Sequence, residues 1–341
     1  KSAPSLTPET PTPTAPIAPT EGLSLISQEK VFDYWFLDEE IFYVTPEGKI
    51  IKISGQNQEE VIQNTTFESL NSLIISPDGQ NIAYGSGQPE QFRIFSFVEN
   101  LWQPLDEKIV KLDWSPVTST ATTTPPIVYL KKNGNLYNLA TYSFTTKKEN
   151  LIATLAGQDI NILWLTAEKI LVWEKPSYYK PASLLSFNPK TKKVEVLINE
   201  QPGLMFNWSA DKELVLISKS GHSIEPVLFL VNKKFETIAA LPFIALPSKC
   251  AFSEDSKLIA CAVPQPQAIR KKWRFPDDWL SQGINLPEAF YLTGLTEGST
   301  TLPEQIISSN VVNTGSVKIR QGEIFFINHF DQKLYSIKVS Q

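Results

Sequence analysis

The sequence predicts an all-β fold, a seven-bladed β-propeller of four-stranded antiparallel blades. Three observations lead to this prediction. From Gly22 onward the chain is a series of short apolar runs separated by Gly, Pro, Asn and Asp, with no helical period. These runs fall into groups of four, and each group spans about 40 residues, the period of a propeller blade. The stretch 73–85, LIISPDGQNIAYG, is typical of a β-hairpin, and weaker copies of it recur along the chain.

The hairpin at 73–85 defines the repeat. Pro77 presets the backbone for the first corner of a turn, and Asp78 can hydrogen-bond the backbone that follows it. Gly79 tolerates the left-handed conformation that closes the turn. Traces of this motif recur at 113–116 (DWSP), 207–211 (NWSAD) and 252–256 (FSEDS).

In chain order, each repeat unit begins with an apolar strand. The seven predicted first strands are Val31–Leu37, Leu70–Ile75, Ile109–Trp114, Ile160–Leu165, Leu204–Trp208, Ser248–Phe252 and Gly315–Ile319. The last unit supplies only three strands, while the apolar run 22–27, GLSLIS, precedes the first unit. We therefore expect this N-terminal strand to complete the last blade and close the ring, which hides open sheet edges.

Two segments do not follow the repeat pattern, one before the repeats and one within them. Residues 1–21 are dominated by Pro, Thr, Ala and Ser, a composition that favours an extended spacer rather than a packed core. Residues 22–341 form the predicted propeller, and the stretch 264–287 is an insertion within it. In this insertion, Pro276-Asp277-Asp278 suits the start of a short helical turn.

The SPDG hairpin, its degenerate copies and the period of about 40 residues resemble the TolB-type, WD-like β-propeller repeat family. The same repeat occurs as the non-catalytic propeller of prolyl-oligopeptidase-type peptidases. The resemblance covers nearly all of residues 22–341. It implies a scaffold that is used mainly for protein contacts.

The composition excludes several classes of protein. Hydrophobic residues make up 42% and charged residues 20% of the chain, as in soluble globular proteins, and no apolar run approaches the roughly 20 residues that cross a bilayer. The net charge of −5 argues against a nucleic-acid binder. The basic run 270–275, RKKWRF, resembles an anionic-surface patch, but Asp277 and Asp278 follow it at once.

Motifs of catalysis are missing from the sequence. The two histidines, His222 and His329, do not form an HExxH motif, and GxSxG, GxGxxG and the phosphate-binding loop are absent. We therefore expect no cofactor and no enzymatic activity. The alternative is a propeller-type hydrolase or lyase acting on polysaccharide or peptide. For that alternative the first strands offer isolated polar residues, namely Asp33, Asp113 and Asn207.

The predicted topology brings unusual residues to one face. The loops between second and third strands should lie together there, and in the fourth to seventh blades they carry aromatic and histidine side chains. The candidate partner-binding residues are Tyr178, Tyr179, His222, Trp273, Trp279 and His329. The competing interpretation is that the two tryptophans hold the insertion against the propeller and that the histidines are ordinary loop residues.

The cysteines Cys250 and Cys261 flank the turn at 254–256. If Phe252 faces Ile259 across this hairpin, the same register places Cys250 opposite Cys261, close enough for a disulfide. A pair of small buried thiols is the other reading, and the sequence leaves both open.

From these features we expect a non-enzymatic, extracytoplasmic propeller that mediates protein–protein contact or assembly at the cell envelope. It would be tethered through the N-terminal spacer and located at the cell surface, in the periplasm or outside the cell. Its partner would be a protein, with no nucleic acid involved and membrane contact only through an anchor preceding Lys1. A further alternative is a self-assembling surface-layer or filament subunit.

Overall fold

The computed structural model describes residues 22–67, 69–116, 124–220, 227–265, 274–281, 286–296, 299–308 and 312–339. They form seven antiparallel sheets that follow one another along the chain, and each sheet is one blade. The predicted fold class, a seven-bladed β-propeller with four-stranded blades, is confirmed.

Blades 1 to 4 each contain four strands, which pair in chain order from the first strand to the fourth. Their bounds are β2 (Asp33–Leu37), β3 (Glu40–Val44), β4 (Ile50–Ser54) and β5 (Gln58–Gln63); β6 (Leu70–Ile75), β7 (Asn81–Ser86), β8 (Gln91–Ser96) and β9 (Leu101–Pro104); β10 (Ile109–Trp114), β11 (Ile127–Asn133), β12 (Leu136–Ser143) and β13 (Lys148–Leu155); β14 (Ile160–Thr166), β15 (Lys169–Glu174), β16 (Ala182–Phe187) and β17 (Val194–Gln201).

Blades 5 to 7 follow the same plan, with one difference in blade 6. In that blade two short strands, instead of one fourth strand, pair with the third strand. Their bounds are β18 (Met205–Trp208), β19 (Leu214–Lys219), β20 (Val227–Asn232) and β21 (Thr237–Leu241); β22 (Cys250–Phe252), β23 (Leu258–Pro264), β24 (Glu288–Thr296), β25 (Ser299–Thr300) and β26 (Glu304–Ser308); β27 (Thr314–Arg320), β28 (Glu323–Asn328) and β29 (Lys333–Lys338). Two 3₁₀ turns, Gly55–Asn57 and Pro247–Lys249, and the short helix α1 (Asp277–Ser281) complete the described elements.

The chain closes the ring in blade 7. The N-terminal strand β1 (Leu23–Leu25) pairs antiparallel with β29, and Leu23 lies opposite Ile337. The prediction that residues 22–27 supply the missing fourth strand is confirmed. The seven predicted first strands also correspond to β2, β6, β10, β14, β18, β22 and β27, with bounds that differ by at most two residues.

The core consists of seven apolar clusters, one at each boundary between neighbouring blades. Strand β7 shows why the runs are apolar at nearly every position. Ile82 and Tyr84 pack toward blade 1, whereas Ala83 between them packs toward blade 3. Because successive side chains point to opposite faces of a strand, a blade buried on both faces needs a continuous apolar run.

The hairpins that keep the SPDG pattern share one hydrogen-bond arrangement. The Ser76 hydroxyl donates to the Asp78 carboxylate at 2.5 Å and accepts the Asn81 N–H at 2.9 Å. Two later hairpins repeat both contacts, with the pairs Ser209–Asp211 and Ser253–Asp255. The residue after the aspartate has a positive φ in all three turns: 70° at Gly79, 63° at Lys212 and 55° at Ser256.

The two cysteines form a disulfide within blade 6. Cys250 on β22 lies opposite Cys261 on β23, and Phe252 lies opposite Ile259, which is the register expected from the sequence. Both cysteines are buried in the cluster between blades 5 and 6. The predicted spacer, residues 1–21, lies outside the described residues. No helix in the described ranges has the length and apolar character needed to cross a bilayer.

Candidate functional site

Two kinds of connection emerge on opposite faces of the propeller, because consecutive strands of a blade run in opposite directions. The turns between first and second strands, including SPDG, lie on one face, which we call the turn face. The loops between second and third strands lie on the other, the loop face. The described candidates, Tyr178, Tyr179, Trp279 and His329, belong to the loop face, since they lie between the second and third strands of blades 4, 6 and 7.

The blade 6 insertion crosses blade 5 and reaches blade 4. The Asp277 carboxylate accepts a hydrogen bond from the Ser177 hydroxyl at 3.0 Å and another from the backbone N–H of Tyr178. The Phe275 carbonyl accepts a hydrogen bond at 2.5 Å from the hydroxyl of Ser220, which directly follows β19 in blade 5. The insertion of blade 6 therefore contacts blade 5, its neighbour, and also blade 4, which is not its neighbour in the ring.

The helix α1 positions the Asp277 carboxylate. The Asp278 N–H donates to the Arg274 carbonyl at 2.9 Å, and the Asp278 carboxylate accepts the Arg274 N–H at 2.7 Å. This reciprocal pair satisfies polar groups at the start of the helix, as in a capping box. The helical turn predicted at Pro276-Asp277-Asp278 is present, and both carboxylates lie in its first turn.

Trp279 anchors the insertion through a small core of its own. Its side chain is 5% exposed and packs with Phe275, Leu246 and Leu286. The Phe275 and Trp279 rings meet edge to face, with centroids 5.4 Å apart. The Trp279 ring is therefore part of the support beneath the loop face and is not exposed on it.

Tyr179 is an aromatic side chain that the loop face presents to solvent. Its side chain is 63% exposed. The Arg274 guanidinium lies over its ring, 5.2 Å from the centroid, and the Tyr178 ring meets it edge to face at 5.3 Å. The loop is closed at its base by an ion pair between Lys180 and Glu174 at 3.0 Å. An exposed tyrosine and an arginine are thus held together on an ordered support.

His329, the candidate of blade 7, is exposed, but its ring lies against the backbone of Gly315. A Cβ added to Gly315 would lie 2.5 Å from the imidazole Nε2. The His329 N–H donates to the Asn313 carbonyl at 2.7 Å. Burial of part of the ring, and secondarily the Lys249 ammonium, lower the pKa of His329.

A buried ion pair of blade 6 lies at the boundary with blade 7 and contacts Thr314 on that blade. Lys249 Nζ lies 2.7 Å from Glu288 Oε1, and the Glu288 side chain is fully buried. The second carboxylate oxygen of Glu288 accepts the Thr314 N–H at 2.6 Å and its hydroxyl at 2.9 Å. Both charges have partners within the protein, so this cluster stabilises the contact between blades 6 and 7. Removing either charged partner would leave a buried charge uncompensated.

The polar first-strand residues considered for the enzymatic alternative bind neighbouring blades. Each makes a hydrogen bond across a blade boundary: Asp113 accepts the Trp164 N–H at 2.7 Å, Asn207 donates to the Cys250 carbonyl at 2.8 Å, and Asp33 accepts the Ser316 hydroxyl at 2.6 Å. Burial raises the pKa of the Asp113 carboxyl to about 6. The backbone N–H groups of Trp164 and Trp114 and the Lys212 ammonium oppose this rise.

The structure thus brings Tyr178, Tyr179 and Trp279 together at the insertion and places His329 in blade 7. The other two candidates, His222 and Trp273, lie outside the described residues. Sequence reasoning missed the Ser177–Asp277 contact and the stacking of Arg274 on Tyr179. The run RKKWRFPDD signalled a charged helical turn, but nothing local in the sequence indicated which loop it would reach.

The described residues contain no group of three or more His, Cys, Asp or Glu side chains arranged to hold a metal ion.

Comparison with known proteins supports the fold alone. No family model matches the chain, and no curated protein matches it. An oligogalacturonate lyase in complex with manganese is similar with a TM-score of 0.62 at 9% identity, over 94% of this chain and 91% of that chain. The β-propeller domain of Myceliophteria thermophila Cps50 (Swd1) is similar with a TM-score of 0.60 at 8% identity, over 93% of this chain and all of that domain.

Solved structures that match the chain include TolB from Acinetobacter baumannii, with a TM-score of 0.47 and 11% identity over 76% of this chain and 61% of that chain. A similarity of this size carries no argument about family. The β-propeller is therefore established, whereas membership of the TolB-type repeat family remains a prediction.

Proposed function

We propose that this propeller is a non-enzymatic module that contacts a partner protein through the loop face around Tyr179 and Arg274. The observation that supports the proposal is the exposed Tyr179 ring with the Arg274 guanidinium stacked on it. Tyrosine and arginine are enriched among the residues that dominate binding energy at protein interfaces. The Asp277 contacts and the Trp279 core hold this pair in place before a partner arrives, which reduces the entropy lost on binding.

We further propose that the protein works in an extracytoplasmic compartment, tethered at the cell envelope through its N-terminal spacer. The disulfide between Cys250 and Cys261 supports this location, since such bonds persist mainly in oxidising compartments. The Thr/Pro-rich composition of residues 1–21 supports the tether. The shared geometry of the SPDG-like hairpins is the basis on which we assign the repeats to the TolB-type class.

Site-specific photocrosslinking tests the contact face. A photoreactive phenylalanine analogue replaces Tyr179 in the full chain, in its native host, and a second variant carries it at the exposed Glu254 on the turn face. We expect a discrete crosslinked protein from position 179, recovered with the envelope fraction, and none from position 254. Equal crosslinking from both positions, or none from either, would overturn the proposal, and crosslinks between copies of this chain would favour self-assembly.

Once the crosslinked partner is identified, Tyr179→Ala should weaken its binding by about tenfold or more, as expected for an interface hot spot. Glu254→Ala serves as the matched control and should leave the affinity unchanged. Affinities can be measured by calorimetry with the purified full-length proteins. An unchanged affinity for Tyr179→Ala would exclude Tyr179 as a contact residue.

A further inference from the structure

A groove opens on the side of the molecule between blades 2 and 3, away from the loop-face site. It encloses about 270 Å³. Its origin lies in the lengths of the outer strands, since β9 in blade 2 has four residues and β13 in blade 3 has eight. The short strand β9 ends at Pro104 and leaves part of the adjacent face of blade 3 uncovered.

Strand register explains which side chains line this groove. Ile127 on β11 lies opposite Tyr142 on β12, and Tyr142 lies opposite Glu149 on β13. Directly opposed residues point to the same face of a sheet, so these three form a row that faces blade 2. Residues two positions further along a strand share that face, which adds Tyr129 and Phe144 to the lining.

The groove is aromatic and carries an excess of negative charge. The Tyr142 and Phe144 rings stand at 88° to each other with centroids 5.1 Å apart, and so form two walls of the groove. Asp106 is neutralised by Lys131, whose Nζ lies 2.6 Å from Oδ2. Glu149 adds a second carboxylate, so the lining carries two negative charges and one positive charge.

The chain itself shows what such a groove accepts. The three arginines in the described part of the chain each lie over an aromatic ring: Arg93 over Phe67, Arg274 over Tyr179 and Arg320 over Phe36. Arg320 is the instructive case, because it lines a groove with Phe36 and Phe325 and lies 3.6 Å from the Glu254 carboxylate. Among the described lysines and arginines, none lies over Tyr142 or Phe144.

We propose that the groove between blades 2 and 3 binds an arginine side chain of a partner protein. The planar guanidinium would stack on the face of one of the two perpendicular rings, Tyr142 or Phe144, with its edge toward the other, and donate hydrogen bonds to Glu149. The volume is sufficient for one long side chain, since a cavity of about 150 Å³ holds a benzene molecule. This site is separate from the loop face and does not depend on the function proposed for it.

Methyl NMR of the full-length protein tests the proposal. The δ1 methyl groups of Ile109 and Ile127, which line the groove, are labelled and assigned with Ile→Val variants. The probe is N-acetyl-arginine methylamide, and the control probe is N-acetyl-citrulline methylamide, which has nearly the same shape but no charge. We expect saturable shifts of both methyl signals with the arginine probe and at least about fivefold weaker binding of the citrulline probe. Equal responses to the two probes, or no response to either, would overturn the proposal.

Three variants separate the charge from the shape of the groove. Glu149→Gln should weaken binding of the arginine probe by about fivefold, whereas Lys131→Met should strengthen it because Asp106 is then unpaired. Glu195→Gln is the matched control, since Glu195 is the second residue of the outer strand β17 as Glu149 is of β13, and it should change nothing. Binding that is unaffected by both groove variants would exclude the assigned contacts.

Discussion

Single polar residues tie neighbouring blades together, and the repeat does not fix the direction of their hydrogen bonds. Asp113 and Asn207 occupy the same place in the DWS and NWS copies of the repeat. Asp113 accepts a backbone N–H from the next blade, whereas Asn207 donates to carbonyl groups of the next blade. The sequence places both residues on first strands, but it cannot tell which backbone group each will meet, because that depends on how two blades pack.

The carboxyl group of Asp113 makes stability depend on pH. Its pKa rises from 3.8 to about 6 on folding because of burial, so the folded chain holds this proton more tightly than the unfolded chain. The Asp113 contribution to the free energy of unfolding therefore falls as the pH rises from about 4 to about 6.

The variant Asp113→Asn cannot ionise and still offers an oxygen to the Trp164 N–H. We expect it to be more stable than the parent above pH 6, by up to about 3 kcal/mol, and equally stable below about pH 4. Urea unfolding of both proteins between pH 4 and pH 8 measures the difference. A stability difference that stays constant across this range would contradict the assignment.

The reverse exchange in blade 5 is the matched control. Asn207 donates to the carbonyls of Cys250 at 2.8 Å and of Pro247 at 3.3 Å, and a carboxylate there would face two acceptors. Asn207→Asp should therefore be less stable by about 2–3 kcal/mol at pH 7. If Asp113→Asn raises the free energy of unfolding and Asn207→Asp lowers it, then the backbone group in the next blade determines which side chain is the more stable.

At the scale of the element, the turn between the first two strands is conserved in geometry although its sequence changes. Ser and Asp keep their hydrogen bonds in three blades, while Gly79, Lys212 and Ser256 share the left-handed position. Lys and Ser are strained at positive φ, whereas Gly is not. The later hairpins therefore keep the fold at some cost in stability.

Exchanging the residues at this position should change stability in opposite directions. Gly79→Ser should lower the free energy of unfolding by about 1 kcal/mol, and Ser256→Gly should raise it by a smaller amount. Thermal unfolding followed by circular dichroism gives both values. If Gly79→Ser were as stable as the parent, the left-handed turn would not be needed in the SPDG hairpin.

Elements were predictable where the signal is local, and the site was less so. Short apolar runs, turn residues and the SPDG-like hairpins identified the seven first strands. The register of one hairpin placed Cys250 opposite Cys261. The support of the loop face depends on Asp277 reaching Ser177, a contact 100 residues apart in the chain. No periodicity encodes such a contact. For Trp279 the sequence left open whether its ring would face a partner or hold the insertion against the propeller, and the structure shows that the ring is buried.

For the whole molecule, closure of the ring depends on a few residues at the N-terminal end of the propeller. Besides the pairing of β1 with β29, the Ile26 N–H donates to the Leu334 carbonyl at 2.9 Å, and the Ser27 hydroxyl accepts the Leu334 N–H at 2.9 Å. Ile26 also packs against the cluster between blades 7 and 1.

Removing residues 1–27 should open this closure. We expect the melting temperature to fall by about 5 °C and the protein to self-associate as its concentration rises, because the edge of β29 becomes free to pair. The control lacks residues 1–21 and keeps β1. Scanning fluorimetry and light scattering measure both effects, and identical behaviour of the two truncated proteins would contradict a role for β1 in closure.

The closure through β1 also decides where a mechanical load would act. A force that pulls on the segment before Gly22 enters the ring through three residue pairs, Leu23–Ile337, Ser24–Ser336 and Leu25–Tyr335. The other two strand pairs of blade 7, β27–β28 and β28–β29, have longer ladders, so we expect the short one to yield first. Under tension we expect the pairing of β1 with β29 to separate before the sheets of blades 1 to 6 unfold, so β1 would limit the force that the ring can carry.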